Sequence, residues 1–293
     1  MGEFYALACA LAWAVAVVLF RKSGETVPPL ALNTFRVVLS SALFVVTLVA
    51  MDQDILGRAP LKDYLILIAS GIIAIAVSDT LFHMCLNRVG AGINAIIDSL
   101  YSPFIVLFAF LLLGERLGWS QFAGMVLIVG GVLLTSRIRP PRGLQRRALI
   151  EGILIGAAAM STLAFGIVIA KPVLERSDVM WATTVRQLGA LAALVPALLL
   201  HPRRRQLVQV FRPQRSWRFT VPGTVLGSYV ALSLWIAGMK AISAGSAAIL
   251  NQTSTIYILV FAAIFLGEGF SWRKAFSASL AVAGILLVIL PGA

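Results

Sequence analysis

The chain has 293 residues, of which 60% are hydrophobic and 12% are charged, and its mean hydropathy is +0.95. Because a soluble domain is about 45–50% apolar and about 25% charged, this composition excludes an ordinary soluble enzyme, and it also excludes a disordered chain. The net charge of +12 does not indicate a nucleic-acid-binding protein, because Lys and Arg lie in short links between apolar runs; two cysteines are too few for a disulfide scaffold.

Apolar runs follow one another along the whole chain. A helix needs about 20 apolar residues to cross a bilayer, and ten runs approach that length: 4–20, 30–51, 64–86, 91–113, 119–136, 152–170, 180–200, 219–241, 244–266 and 272–290. The first run is not predicted to be a signal peptide, because no basic residue precedes it and Arg21 and Lys22 follow it. The sequence therefore predicts an all-α integral membrane protein with ten transmembrane helices.

The links between the runs differ in charge. When successive links are assigned alternately to the two faces, 16 of the 24 Lys and Arg residues fall on one side and six on the other. Arg36 and Arg186 lie within runs instead. The positive-inside rule makes the arginine-rich side cytoplasmic and places both termini outside, and we expect a bacterial inner membrane.

The second half of the chain repeats the first. With a shift of 153 residues, 90–136 and 243–289 share 16 identities in 47 positions, including Gly-Glu pairs at 114–115 and 267–268. Near the start of each half a shift of 150 pairs Arg36 with Arg186. We expect five-helix repeats over 1–136 and 151–293, joined by an Arg- and Pro-rich linker, 137–150. Five is odd, so the second repeat enters the membrane inverted, an architecture typical of secondary transporters.

These features resemble the EamA-type ten-helix transporters of the drug/metabolite transporter superfamily. The resemblance covers the whole chain and is strongest over 95–131, with Ser102-Pro103 inside a span. In the second half Ile256 stands where the pattern has Pro, and Ser277 where it has Gly. The resemblance implies ten helices around a central cavity and alternating access. It leaves the solute open, because members carry amino acids, other metabolites, drugs or sugar conjugates. Characterised members usually have cytoplasmic termini, opposite to the charge count.

Asp98 is the leading candidate site residue, because a charge at the bilayer centre costs at least ~2.5–3.5 kcal/mol and normally faces a cavity. Asn94, Asp98 and Tyr101 share one helical face, and Ser102 lies beside it. Pro103 removes a backbone hydrogen bond and predicts a kink there. The alternative is a protonated Asp98 that only bonds a neighbouring helix.

Asn251 is the repeat partner of Asp98 and begins a polar run over 251–255. Asn251, Ser254 and Thr255 share a face, and Tyr257 follows, so these residues are candidates for the opposite wall of the cavity. The alternative is that they join helices by hydrogen bonds, worth ~0.6 kcal/mol each on average.

Four further candidate site residues carry ionisable side chains within predicted spans. Asp79 and His83 are spaced i, i+4, so we expect them to touch and to form a proton relay; the alternative is a neutral His83 bonded to Asp79 or to a carbonyl group. Arg36 and Arg186 either snorkel to an interface, hold a substrate carboxylate, or play a structural role common to both repeats.

Trp13 and Trp235 lie mid-span and either stack on a solute or pack. Glycine suits the end of a helix, and we expect the acids of the Gly-Glu pairs, Glu115 and Glu268, to stabilise the start of the next helix.

The favoured function is a secondary transporter, an exporter or exchanger of a small amphipathic metabolite such as an amino acid, driven by protons or by the solute gradient. Asp98, Asp79 and His83 are the candidate proton carriers. The alternative is a carrier of larger amphiphiles, such as lipid-linked or nucleotide sugars, whose anionic groups would meet the basic links. No phosphate-binding loop is present, and no catalytic residue, metal or other cofactor is expected. The expected partners are a solute, lipids and protons.

Overall fold

The computed structural model describes residues 2–54, 56, 59–114, 118–135, 145–241, 250, 253–269 and 271–289. These residues form ten helical segments, one in each predicted span. The segments are α1 Gly2–Ser23, α2 Pro29–Ala50, α3 Leu61–Val89, α4 Ala91–Leu113, α5 Trp119–Thr135, α6 Arg146–Leu174, α7 Val179–Leu200, α8 at 217–241, α9 Thr253–Leu266 and α10 Trp272–Ile289. A one-turn helix, Arg204–Leu207, and a 3₁₀ turn, Val208–Phe211, lie between α7 and α8.

Six of these segments, α1 to α4, α6 and α7, are long and apolar enough to cross a membrane, and α5 and α9 are shorter apolar helices. The predicted boundaries need one clear correction. Helix α6 begins at Arg146, so the last five residues of the predicted linker are helical. Arg147 and Glu151 form an i, i+4 salt bridge at 3.2 Å there, which supports the first turn of the helix.

Two helices widen into π turns at matching places. Helix α3 is α-helical over Leu61–Gly71, π-helical over Ile72–Val77 and α-helical again over Ser78–Val89. Helix α8 has the same form, with its π turn at Val225–Val230. The two π turns are 153 residues apart, the shift at which the two halves of the sequence align. π turns are rare and are often found at functional sites.

Helix α4 is interrupted near its middle. Its first part, Ala91–Asp98, is followed by a tight turn, and its second part, Tyr101–Leu113, begins before Pro103. Proline lacks the N–H that would bond to the carbonyl of Ser99, and that carbonyl accepts from the N–H of Ser102 at 3.3 Å instead. The kink expected from Pro103 is therefore seen as a break in the helical hydrogen bonds over Ser99 and Leu100, directly after Asp98.

Helices of the first half pack on helices of the second half in a reciprocal pattern. Helix α1 packs on α8 and α9, whereas α6 packs on α3 and α4. Helix α2 packs on α7, and α5 packs on α10. Gly131 of α5 lies so close to α10 that a Cβ atom would be 2.8 Å from the carbonyl oxygen of Ser277. Small residues permit this close approach of helices in membranes.

Candidate functional site

A buried ion pair joins α2 to α3. The guanidinium of Arg36 donates to the carboxylate of Asp79, and their side chains are 8% and 21% exposed. The same guanidinium donates to Oδ1 of Asn33, at 3.3 Å from Nε and 3.1 Å from Nη2. Arg36 therefore does not snorkel to an interface, because its charge is neutralised between the two helices.

Asn33 also holds the π turn of α3. Its Nδ2 atom donates to the carbonyl groups of Ile75 and Ala76, at 2.9 and 3.2 Å, and lies 2.9 Å from Oγ1 of Thr80. Within a bilayer every backbone carbonyl needs a partner from the protein or from trapped water. The Asn33 amide meets this need and aligns α2 with the turn that precedes Asp79.

Arg186 of α7 reaches the same region from the second half of the chain. Its Nε atom donates to Oγ of Ser70 at 3.0 Å, and that hydroxyl donates to the carbonyl of Gly166 at 2.7 Å. The two arginines of the repeat therefore have different partners, Asp79 for Arg36 and Ser70 for Arg186, and both are engaged inside the helix bundle.

Asp98 ends the first part of α4. Both of its carboxylate oxygens accept from Nδ2 of Asn94, at 3.2 and 3.1 Å. Asp98, Tyr101 and Ser102 are each partly exposed although the surrounding residues 91–97 are buried. A carboxylate, a phenol and a hydroxyl therefore lie next to the kink and keep some accessible surface within an otherwise apolar helix.

His83 does not touch Asp79, and the predicted contact is wrong. Asp79 turns toward Arg36, which offers a full positive charge. The His83 ring instead packs edge-on against Phe20 and Phe82, with ring centroids 5.2 and 5.4 Å away. Neither ring nitrogen has a hydrogen-bond partner in the part of the chain that the structure describes. A direct relay between Asp79 and His83 has no geometric support.

The candidates in the second half are only partly described. Asn251 lies outside the described residues. Ser254 and Thr255 are buried in α9, and Tyr257 stacks on Phe261 with ring centroids 6.4 Å apart. Trp235 is half-buried in α8. In α1, the ring of Trp13 lies 5.9 Å from that of Phe82, so this tryptophan packs against α3.

The comparisons identify the family. The model of the EamA-like transporter family matches residues 1–137 and 150–290. The chain belongs to this family. An uncharacterized transporter of Archaeoglobus fulgidus is 23% identical over 286 residues, which cover 97% of this chain and 96% of that protein. An uncharacterized transporter of Methanothermobacter thermautotrophicus is 22% identical over 233 residues, which cover 79% of this chain and 66% of that protein.

A solved crystal structure shares the fold, with a TM-score of 0.66 and 19% sequence identity over 98% of this chain and 95% of that one. The match to the family model, not the shared fold, makes this EamA-like protein an integral membrane transporter of the drug/metabolite transporter superfamily. The family implies a small-molecule solute and membrane lipids as its partners.

Sequence reasoning missed two polar residues that shape the site of this EamA-like transporter. Asn33 and Ser70 are buried and position Arg36 and Arg186 respectively. A signal for Asn33 was present, because it precedes Arg36 by three residues and shares its helical face. Ser70 gave no comparable signal, because an isolated serine in an apolar span is common and its partner lies 116 residues away.

Proposed function

We propose that this EamA-like transporter is a secondary transporter that moves a small zwitterionic metabolite, with amino acids as the first candidates, by alternating access. One observation carries the proposal. Asp98 and Arg186 are both partly exposed inside apolar helices, and neither forms a salt bridge within the described part of the chain. Arg36 and Asp79, in contrast, already neutralise each other.

The chemistry of these two side chains matches the two charges of an amino acid. A guanidinium binds a carboxylate through two parallel hydrogen bonds, which gives Arg186 a geometric preference for that group. A carboxylate accepts hydrogen bonds from an ammonium group, and Asp98 has both oxygens within reach of only a neutral amide donor. Charged groups in a membrane interior normally serve a solute or ion pathway.

The two halves of the chain support the alternating-access part of the proposal. The bounds of α2 and α7 differ by 150 residues at both ends, and the π turns of α3 and α8 differ by 153. The halves also pack on each other reciprocally. We take them to be inverted repeats with the solute between them, so that rocking one against the other exposes the site to each face in turn.

In a proton-coupled cycle, Asp98 is the residue that carries the proton. Its carboxylate bonds only an amide among the described residues, whereas Asp79 is held by a guanidinium. A solute ammonium would displace a proton from Asp98, and release of the solute would let the proton return. In this scheme the cycle exchanges protons for solute in opposite directions.

The test is thermal stabilisation of the detergent-purified protein with three matched probes: leucine, its decarboxylated amine and its 2-oxo acid. A solute at about 100 times its Kd raises the free energy of unfolding of the protein by about 2.7 kcal/mol. We expect leucine or another amino acid to raise Tm, and the two singly charged probes to have little effect. The Asp98→Asn variant should lose the response, whereas Asp52→Asn, an exposed aspartate in a turn, should keep it.

A second candidate function is the carriage of a larger anionic amphiphile, such as a nucleotide sugar or lipid-linked sugar. A cavity of about 500 Å³ at the arginine-rich end favours it. The lining of this cavity includes the polar residues Arg88, Arg203 and Gln206. It also includes the apolar residues Leu30 and Met84. Stabilisation by a nucleotide sugar but not by any amino acid would select this candidate and would refute the first.

A further inference from the structure

Glu268, in the link between α9 and α10, binds the start of α4. Its carboxylate accepts from the backbone N–H of Ala91 through Oε1 at 2.6 Å, and from that of Gly92 through Oε2 at 3.0 Å. The sequence predicts that this residue stabilises the start of α10, whereas the structure shows that its carboxylate bonds the start of α4. Its counterpart Glu115 lies outside the described residues. The helix that Glu268 stabilises belongs to the other half of the chain.

Helix α4 depends on this distant carboxylate because it has no cap of its own. The first N–H groups of a helix lack partners within the helix and are usually satisfied by a Ser, Thr, Asp or Asn at the N-cap. Here the N-cap is Gly90, which has no side chain. A Cβ atom at Gly92 would lie 3.1 Å from Oε2 of Glu268 and 3.2 Å from Leu259, so glycine admits the carboxylate at close range.

The link between α9 and α10 is built to present Glu268. Gly267 adopts a left-handed conformation, with φ of 64°, and turns the chain back after α9. The N–H of Glu268 then donates to the carbonyl of Ala262 at 3.1 Å, which fixes the backbone. Nζ of Lys274 lies 3.6 Å from Oε2 and shares the charge of the carboxylate.

The contact lies on the same short helix as the candidate solute group. Glu268 binds the beginning of Ala91–Asp98, Asn94 lies one turn further on, and Asp98 is its last residue before the kink. Because α4 belongs to the first half and α9 and α10 to the second, separating the halves at this end must break the contact.

We infer that Glu268 is a positioning residue for transport: bound to the N–H groups of Ala91 and Gly92, it forms a latch that closes the arginine-rich end. This inference rests on the proposed alternating-access cycle. In the state with this end open, the latch is broken and the two N–H groups are exposed to water. The latch thereby sets the population of the two states, since any contact made in only one state biases the equilibrium toward it.

The test measures access to the packed surface behind the latch. Ala262 is 1% exposed and lines the crevice between Gly92, Glu268 and Lys274. An Ala262→Cys reporter is introduced after Cys9→Ala and Cys85→Ala remove the native thiols, and its reaction with a polar maleimide is timed in nanodiscs. Glu268→Ala should speed labelling about tenfold or more, the factor expected from losing hydrogen bonds to a charged group. Glu268→Gln keeps one acceptor oxygen, so its labelling rate should lie between those of the parent protein and Glu268→Ala.

Two controls separate the latch from a general loss of structure. Glu25→Ala removes the same charge from an exposed pair with Lys22 and should leave labelling at 262 unchanged. A second reporter, Ala159→Cys, is fully buried in α6 and should stay unlabelled in every variant. Unchanged labelling at 262 in Glu268→Ala would overturn the inference, and so would a rise at both 262 and 159. Labelling needs no solute, so this result is independent of whether the protein carries an amino acid.

Discussion

Among the described residues, Arg36, Asp79, Asp98 and Arg186 lie inside apolar helices, and they differ in how their charges are satisfied. Arg36 and Asp79 form a salt bridge that also involves Asn33, whereas Asp98 and Arg186 bond only neutral groups among the described residues. A buried pair is expensive to break, because the remaining partner keeps its desolvated charge. In the proposed function, the incompletely paired charges of Asp98 and Arg186 bind the solute.

The effects of substituting Arg36 and Asp79 on the free energy of unfolding should therefore be strongly non-additive. We expect Arg36→Met to destabilise by about 3–5 kcal/mol, and the double variant Arg36→Met/Asp79→Leu to recover most of that loss. Thermal and denaturant unfolding in detergent would measure both. The control is Arg147→Met, whose pair with Glu151 is exposed and worth about 0–1 kcal/mol. Equal losses for Arg36→Met and Arg147→Met would contradict the buried pair.

His83 should behave as a packing residue. Both of its nitrogens are buried without partners within the described residues, and two phenylalanine rings flank it. We expect His83→Phe to keep or raise Tm, because the variant buries no unbonded nitrogen. Asn33→Leu is the contrasting control and should lower Tm, since it removes donors to two carbonyl groups. A fall in Tm for His83→Phe comparable to that for Asn33→Leu would refute this assignment.

At the scale of helices, sequence periodicity and composition predicted much of the architecture. Every predicted span contains a helical segment, and the kink before Pro103 was expected because proline lacks an N–H group. The π turn at Ile72–Val77 was not predicted, because its apolar sequence is equally suited to an α-helix. The partner of Asp79 was also missed. The i, i+4 spacing along α3 favoured His83, but Asp79 pairs with Arg36 because α2 packs beside α3.

The packing of α5 on α10 can be tested with two neighbouring glycines. Gly131 faces α10, where a Cβ atom would lie 2.8 Å from the carbonyl oxygen of Ser277, whereas Gly130 has open space. We expect Gly131→Ala to destabilise by about 1–3 kcal/mol through overpacking. Gly130→Ala should be neutral or stabilise by up to ~1 kcal/mol, because alanine favours helix. Unfolding in detergent measures both, and a reversed order would contradict the packing.

At the scale of the whole molecule, the repeat explains why two sequence shifts were needed. Helices α2 and α7 are 150 residues apart, and the π turns of α3 and α8 are 153 apart, so the second half has three more residues than the first between the end of its second helix and the π turn of its third. The orientation across the membrane stays a prediction, because the charge count places both termini outside whereas characterised members of the family usually have cytoplasmic termini.

The charge count, 16 basic residues against six, predicts that both termini are outside. A reporter that is active only in the cytoplasm should therefore be inactive when fused after Ala293. The same reporter inserted in the arginine-rich link between α7 and α8 should be active, which controls for expression. If the reporter fused after Ala293 were active and the reporter inserted between α7 and α8 were inactive, the orientation would be the opposite of the predicted one.

The most direct test of the central claim is counterflow in proteoliposomes loaded with unlabelled amino acids and diluted into a trace of one labelled amino acid. If solute binds at Asp98 and Arg186 and crosses by alternating access, the label should accumulate transiently for at least one amino acid. Accumulation should be lost in Asp98→Asn and kept in Asp52→Asn. Failure of every amino acid to accumulate, or undiminished accumulation in Asp98→Asn, would contradict the claim.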